Sequence, residues 1–89
     1  LYDSDYYGDD LPFWTEVEGK PHLIVPYTMT TNDGKFFGGI GPGDDWLAWC
    51  RDHFDVLWAE GDAGRPRMMS VGLHPRIIGQ PARALALMK

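Results

Sequence analysis

Cysteine is almost absent from this chain, and so is any concentration of positive charge. The single cysteine, Cys50, excludes an internal disulfide framework. Eight Lys and Arg residues against thirteen Asp and Glu residues give a net charge of −5 at pH 7. No basic stripe is present to neutralise the phosphates of a nucleic acid or an anionic membrane, and no apolar run approaches the ~20 residues that span a bilayer. These shortages argue against nucleic-acid and membrane partners.

The chain also lacks the signals that usually mark the two ends of a domain. It begins at Leu1 rather than at a methionine. A helix-like stretch starts at Pro81, a residue well suited to the first helical position, but no Gly, Asn or Pro stop follows before Lys89. We therefore expect a C-terminal part of a larger domain that is inactive when isolated. The expected compartment is the cytoplasm, with secretion of a longer parent chain as the alternative.

The apolar pattern predicts two short buried strands and one long helix. Residues 22–27 and 68–73 are continuous apolar runs, typical of strands buried on both faces. Residues 44–60 form a helical pattern that starts with two acidic residues and stops at Gly61. Its predicted core-facing stripe consists of Leu47, Cys50, Phe54, Leu57 and Trp58. Two strands joined through a helix predict a parallel sheet with helical cover, an α/β fold, with loops or turns at 4–14, 15–21 and 28–43.

Complete metal sites and reactive thiols are not predicted from the residue spacing. There is no His-x-x-x-His or Glu-x-x-His pair. The EF-hand spacing that begins at Asp3 and Asp5 fails, because Tyr7 and Trp14 occupy positions that need oxygen ligands. Cys50 lies within the apolar stripe without a basic neighbour to activate it, which predicts an inert thiol.

His74 is the histidine with the most informative position. It ends the second predicted strand and is followed at once by Pro75. The carboxyl end of a strand is where α/β folds place functional side chains. A general acid must also be held within hydrogen-bonding reach of its target. On position alone, His74 is a candidate for either a structural or a catalytic role.

Three motifs, taken together and in this order, resemble the polysaccharide-deacetylase superfamily. They are YDSDYYGDDLPFW at 2–14, HLIVPYTMTTND at 22–33 and GLHPRIIGQPARA at 72–84. The strongest similarity is to the branch of metal-independent allantoinases. The resemblance implies a distorted (β/α) barrel with fewer than eight strands, of which this chain would be the C-terminal portion. It also implies hydrolysis of an amide C–N bond.

The resemblance carries roles to individual residues. His74 corresponds to the general acid of the family's late leucine-histidine motif, and Asp3 and Asp5 correspond to acidic residues that orient other catalytic groups. The implied substrate-binding residues are Leu73, Trp14, Asn32 and Asp33. The water-activating carboxylate would lie upstream of Leu1, as would the metal ligands of metal-dependent members. No cofactor is therefore expected within this chain, and zinc or a similar divalent metal enters only if the parent is a deacetylase.

Three functions follow as alternatives. The first is an allantoinase-like enzyme acting on a small-molecule ureide, for which the long loop at 28–43 would serve as a lid. The second is an N-deacetylase acting on the N-acetylated sugars of chitin or peptidoglycan. The third is a non-catalytic barrel segment for binding or assembly. The resemblance leaves a homo-oligomer open.

Overall fold

The structure is a computed structural model that describes residues 1–36 and 43–89. Three strands form one sheet in the order β1-β3-β2: β1 is Tyr2–Asp3, β2 is Phe13–Val17 and β3 is Lys20–Ile24. β1 runs parallel to β3, with Tyr2 opposite Leu23 and Asp3 opposite Ile24. β2 runs antiparallel to β3. The predicted combination of strands and helices is confirmed, whereas the prediction of a purely parallel sheet is wrong because of β2.

β2 and β3 form a hairpin in a region that the sequence pattern predicts to be loop and turn. Val17 and Lys20 pair on either side of a two-residue turn, Glu18 and Gly19, whose φ angles are 51° and 73°. Positive φ at both turn residues gives the turn the twist that a tight hairpin needs. The strand predicted at 22–27 accordingly begins two residues earlier and ends at Ile24.

The segment predicted as a second buried strand, residues 68–73, is extended but forms a single bridge rather than a strand. Gly72 pairs in parallel with Asn32. Asp33 N–H donates to Gly72 O at 2.9 Å, and Gly72 N–H donates to Thr31 O at 3.2 Å. A ladder needs a neighbouring strand along its whole length, and among the described residues this segment meets its neighbour mainly at Gly72. The parallel direction of the prediction nevertheless holds at that bridge.

Helix α1, Gly43–Asp62, confirms the helix predicted at 44–60. Its end differs from the predicted stop, since Gly61 lies within the last turn. The left-handed residue is Gly64, with a φ of 84°. Gly64 N–H donates to Gly61 O at 2.9 Å and Arg65 N–H donates to Glu60 O at 3.0 Å, which is the hydrogen-bond pattern of a Schellman motif.

Only some residues of the predicted core-facing stripe lie on the buried side of α1. Leu47, Cys50 and Leu57 are half-buried as that stripe requires, whereas Phe54 and Trp58 are 51% and 66% exposed. The two buried residues of the helix are Gly43 and Trp46, in its first turn. This turn packs in the region where α1 contacts helix α3, Pro81–Met88. Nothing among the described residues covers Phe54 and Trp58, so they remain exposed.

Two short helices complete the described fold and bring the functional residues together. Helix α2 is Pro75–Ile78, and a 3-10 helix covers Asp33–Phe36. α2 contacts both the 3-10 helix and α3. The helix start predicted at Pro81 is confirmed by α3. None of the helices in residues 1–36 and 43–89 is long and apolar enough to cross a membrane.

Candidate active site

The parallel bridge between Asn32 and Gly72 creates the site. Each of these residues is the last point of pairing before its segment turns into a short helix. Because the two segments run in the same direction, the residues that follow them emerge at the same edge. Asp33 and His74 therefore lie side by side although 41 positions separate them in the chain.

Asp33 and His74 form a carboxylate–imidazole pair. Asp33 Oδ1 lies 2.6 Å from His74 Nδ1, and the backbone N–H of His74 donates to Oδ2 at 2.9 Å. The Asp33 side chain has no exposed surface, whereas the His74 side chain is 47% exposed. Since a carboxylate that has lost its proton only accepts hydrogen bonds, this contact suits the forms of His74 that carry a proton on Nδ1. The nitrogen left to exchange protons with a substrate is Nε2.

The backbone of His74 is held by Pro75 and by the helix that follows. His74 has φ −109° and ψ 121°, the extended conformation that a following proline favours. Its carbonyl oxygen accepts hydrogen bonds from the N–H groups of Ile77 and Ile78, at 2.8 and 2.9 Å. Main-chain bonds on both sides of the residue thus fix where the imidazole ring projects.

The exposed ring of His74 lines a cavity of about 460 Å³. The cavity is bounded by Tyr7, Tyr27, Met29, Asn32, Gly34 and His74. Both polar atoms of the Asn32 side chain form hydrogen bonds. Oδ1 accepts from Gly34 N–H at 2.9 Å, and Nδ2 donates to the Tyr27 hydroxyl at 2.9 Å. The cavity therefore combines an imidazole with amide and hydroxyl groups.

A neighbouring cavity of about 610 Å³ shares Tyr7, Tyr27 and Met29 with the first but does not include His74. Its charged lining includes Glu60 and Arg67, which form an ion pair with each other. The smaller cavity is the candidate active site, because a histidine bound to a buried carboxylate is suited to general acid catalysis.

The structure places the other predicted site residues in different surroundings. Asp3 and Asp5 are exposed, and Asp3 Oδ1 accepts from Asp5 N–H at 2.9 Å. Within residues 1–36 and 43–89, no hydrogen bond joins either carboxylate to His74. Trp14 lies on β2 and is 69% exposed, and Leu73 is 40% exposed. Neither of these two lines the His74 cavity, so their substrate contacts stay predictions.

Asp33 and Tyr27 differ most from the expectations based on sequence. Asp33 is predicted to touch the substrate, but the structure buries it against His74. Tyr27 is predicted as the end of a strand, and the structure places it in the cavity wall. One signal pointed to this region: an Asn-Asp-Gly sequence favours a turn closed by the asparagine side chain, and such a turn forms between Asn32 and Gly34.

The described residues do not fit a divalent metal. In the ranges 1–36 and 43–89, no three His, Cys, Asp or Glu side chains are grouped closely enough to hold an ion. Asp33 and His74 are only two donors, and both use their facing atoms for each other. A metal in a longer protein would need ligands from elsewhere.

Cys50 is expected to react slowly with alkylating reagents in the folded protein. Burial raises the pKa of the Cys50 thiol above its usual value, so the reactive thiolate is scarcer at neutral pH. We expect labelling by iodoacetamide at pH 7.5, followed by mass spectrometry, to be several-fold slower than in urea. The rate should rise as the pH is raised towards the thiol pKa. Equal rates in the native and unfolded protein would contradict this expectation.

Known proteins resemble this chain over nearly its whole length. It is 44% identical over 101 residues to a Schizosaccharomyces pombe protein named "Putative polysaccharide deacetylase", an alignment that covers 99% of this chain and 31% of that protein. The crystal structure of PuuE allantoinase superposes with a TM-score of 0.85 at 54% identity, covering 98% of this chain and 30% of that one. No protein-family model matches the chain.

A second solved structure gives the same picture. It is titled as a probable polysaccharide deacetylase from Pseudomonas aeruginosa PAO1, and it superposes with a TM-score of 0.84 at 50% identity. This match covers 97% of the present chain and 30% of the solved one. The chain thus spans about a third of the length of the relatives that it matches. These similarities confirm the resemblance predicted from the three motifs.

Proposed function

We propose that this chain forms part of an enzyme that hydrolyses an amide C–N bond, because it is similar over nearly its whole length to proteins named as polysaccharide deacetylases and as an allantoinase. The observation that carries the proposal is the pair formed by buried Asp33 and half-exposed His74 at the edge of a cavity. A histidine held in this way is suited to general acid catalysis.

Amide hydrolysis has a step that requires such an acid. Attack of water on the amide carbon gives a tetrahedral intermediate, and its nitrogen is a poor leaving group until it is protonated. In the proposed mechanism, Nε2 of the His74 imidazolium donates that proton as the C–N bond breaks. Asp33 holds Nδ1–H and balances the positive charge of the ring before the transfer. The carboxylate that activates water is assigned, by the resemblance, to a residue outside this chain.

The fold that accompanies this function is the C-terminal portion of a distorted (β/α) barrel. Parallel pairing of β1 with β3 and the parallel bridge of Asn32 with Gly72 support it, since parallel strands are the basis of such barrels. The exposure of large apolar side chains such as Phe54 and Trp58 agrees with further barrel elements packing on this segment.

Among amide substrates, we propose a small ureide, with allantoin converted to allantoate. The support is the similarity to an allantoinase structure, at 54% identity. An N-deacetylase acting on chitin or peptidoglycan is the second candidate, supported by the two relatives named as polysaccharide deacetylases. The loop predicted as a lid lies partly outside the described residues, because 37–42 are not among them. A non-catalytic role is less well supported, since binding alone does not require the Asp33–His74 pair.

We propose a cytoplasmic location, with secretion of a longer chain as the alternative. We keep a homo-oligomer as the form to test by light scattering.

A full-length enzyme that contains this segment should hydrolyse allantoin without added metal. We expect exhaustive treatment with EDTA to leave kcat within about twofold of its starting value, measured as allantoate formation, because general acid catalysis by His74 needs no metal ligand from this segment. A chitin oligomer assayed in parallel serves as the competing substrate. Loss of activity on chelation and its return with zinc or cobalt would move the assignment to the deacetylase. Hydrolysis of neither substrate would favour the non-catalytic role.

A further inference from the structure

Tyr27 occupies a fixed position in the wall of the His74 cavity. Its backbone N–H donates to Tyr6 O at 2.8 Å, which ties it to the loop after β1. Its ring meets the Tyr7 ring in an edge-to-face contact, with centroids 5.5 Å apart. Tyr27 is thus held at its backbone by Tyr6 and at its ring by Tyr7. Both tyrosines and His74 line the same cavity.

The direction of the hydrogen bond between Asn32 and Tyr27 follows from Gly34. The backbone N–H of Gly34 can only donate, so the Asn32 atom that it meets at 2.9 Å must be the carbonyl oxygen, Oδ1. The amide nitrogen of Asn32 then points to the Tyr27 hydroxyl, at 2.9 Å. An amide nitrogen can only donate, and the Tyr27 oxygen must accept. The Tyr27 O–H hydrogen is therefore directed elsewhere.

The hydroxyl hydrogen of Tyr27 has no acceptor in the part of the chain that the structure describes. Asn32 contributes the one hydrogen bond to this hydroxyl within residues 1–36 and 43–89, and there Tyr27 is the acceptor. A phenolic O–H in a cavity is satisfied by water until a ligand oxygen replaces that water. The hydroxyl is thus a donor available to whatever enters the cavity.

Gly72 leaves room for the hydrogen bond between Asn32 and Tyr27, and it lies close to His74 in the chain. A Cβ atom at position 72 would lie 2.4 Å from the Tyr27 hydroxyl oxygen and 2.6 Å from Asn32 Nδ2. Both groups therefore require the bare α-carbon of a glycine beneath them. Gly72 is also the residue of the parallel bridge, two positions before His74. The same bridge positions the donor and the imidazole.

We propose that the Tyr27 hydroxyl is a substrate-binding donor that hydrogen-bonds to a carbonyl oxygen of the amide or ureide held beside His74. The proposal rests on the proposed function for the class of substrate. It assigns Tyr27 a role in affinity, because its hydroxyl can bind a carbonyl before the reaction begins. Asn32 is then a positioning residue, which orients Tyr27 instead of touching the substrate itself.

The test measures equilibrium binding in a full-length enzyme that cannot turn over, with His74→Gln as the background. Allantoin and, in parallel, a chitin oligomer are titrated by calorimetry. Adding Tyr27→Phe should weaken binding of the recognised ligand roughly 10-fold, the upper range for one lost neutral hydrogen bond. In the active enzyme, Tyr27→Phe should raise KM by a similar factor and change kcat less than threefold.

Matched variants keep the result interpretable. Tyr6→Phe removes a hydroxyl from a ring that packs on Phe13 and does not line this cavity, so it should bind ligand within twofold of the background. Gly72→Ala should weaken binding at least as much as Tyr27→Phe, because the new methyl group displaces the hydroxyl. Thermal unfolding of each variant checks that the fold is intact.

The proposed role is overturned if Tyr27→Phe binds both ligands within twofold of its background, or if Tyr6→Phe loses as much. It is also overturned if neither ligand binds the background enzyme. Failure of the proposed function is a different result: the unmutated full-length protein would then hydrolyse neither allantoin nor the chitin oligomer. In that case, a 10-fold loss of affinity in Tyr27→Phe would still support Tyr27 as a binding residue.

Discussion

Replacing His74 by glutamine should lower kcat at least about 100-fold in the full-length enzyme, within the range for a lost general acid. Glutamine keeps a hydrogen-bonding group of similar reach but cannot transfer a proton. The departing nitrogen would then have to leave unprotonated or wait for water. KM should stay nearly unchanged, since the cavity keeps Tyr27 and Asn32. Steady-state kinetics of amide hydrolysis provide the measurement.

His22 offers a matched control for this substitution. It is half-buried on β3, opposite Thr15, and does not line the His74 cavity. His22→Gln should therefore keep kcat within about twofold, because substitutions away from a site have small effects. If His74→Gln retains more than about a tenth of the parent kcat, below the usual general-acid effect, then His74 is a structural residue.

The elements with local signals could be predicted from the sequence. Helix α1 follows from its apolar period and its acidic start, and α3 follows from Pro81. The end of α1 is misplaced by the sequence pattern, which puts the stop at Gly61. Only the hydrogen bonds of the last turn, from Gly64 and Arg65 back to the helix, select Gly64.

The hairpin of β2 and β3 was missed because its strand signals compete with two strong breakers. Gly19 and Pro21 indicate a loop when each is considered alone. In the structure, Gly19 belongs to a two-residue turn. Pro21 lies opposite Glu16 of β2, one pair beyond the Val17–Lys20 pair that closes the turn, where the ladder has no hydrogen bond for its nitrogen. On its other side, β1 pairs only with Leu23 and Ile24. A proline is tolerated where no neighbouring strand needs its N–H. Which strand lies beside Pro21 is a tertiary fact that the local sequence does not contain.

The partner of His74 is likewise decided by register over a long separation. The resemblance assigns the orientation of other catalytic groups to Asp3 and Asp5, which belong to an acidic motif at a strand end. The bridge of Asn32 with Gly72 instead brings Asp33 to the imidazole. A shift of this pairing by one residue would turn Asp33 to the opposite face. The motif therefore predicts the candidate acid, His74, but it does not predict that Asp33 is its carboxylate partner.

Asp33→Asn should reduce kcat about 100-fold or more. The Asp33 carboxylate faces both the backbone N–H and the ring Nδ1 of His74, and an amide cannot accept hydrogen bonds from both. The His74 backbone N–H needs an acceptor, so the asparagine oxygen should take that position. The amide nitrogen would then face Nδ1. Since this nitrogen donates, the ring would have to keep Nδ1 unprotonated. The imidazolium needed for proton donation would lose its counter-charge and gain an opposed N–H group.

A spectroscopic measurement separates this role from a general loss of structure. In the parent, the Nδ1 proton bound to Asp33 should give a downfield proton resonance in NMR spectra, and the signal should disappear in Asp33→Asn. Circular dichroism and thermal unfolding should show that the variant is folded. Asp44→Asn is the charge-matched control, because Asp44 is exposed and pairs only with Lys89 among the described residues. Its kcat should stay within about twofold.

The double variant gives the decisive comparison. If Asp33 acts only through the imidazole, then Asp33→Asn combined with His74→Gln should be no slower than His74→Gln alone, because residues that act as a unit are strongly non-additive. Additive losses would mean that the Asp33 carboxylate has a role independent of His74, such as the substrate contact predicted from the sequence. Activity of Asp33→Asn close to that of the parent would mean that the 2.6 Å contact positions the loop and not the acid.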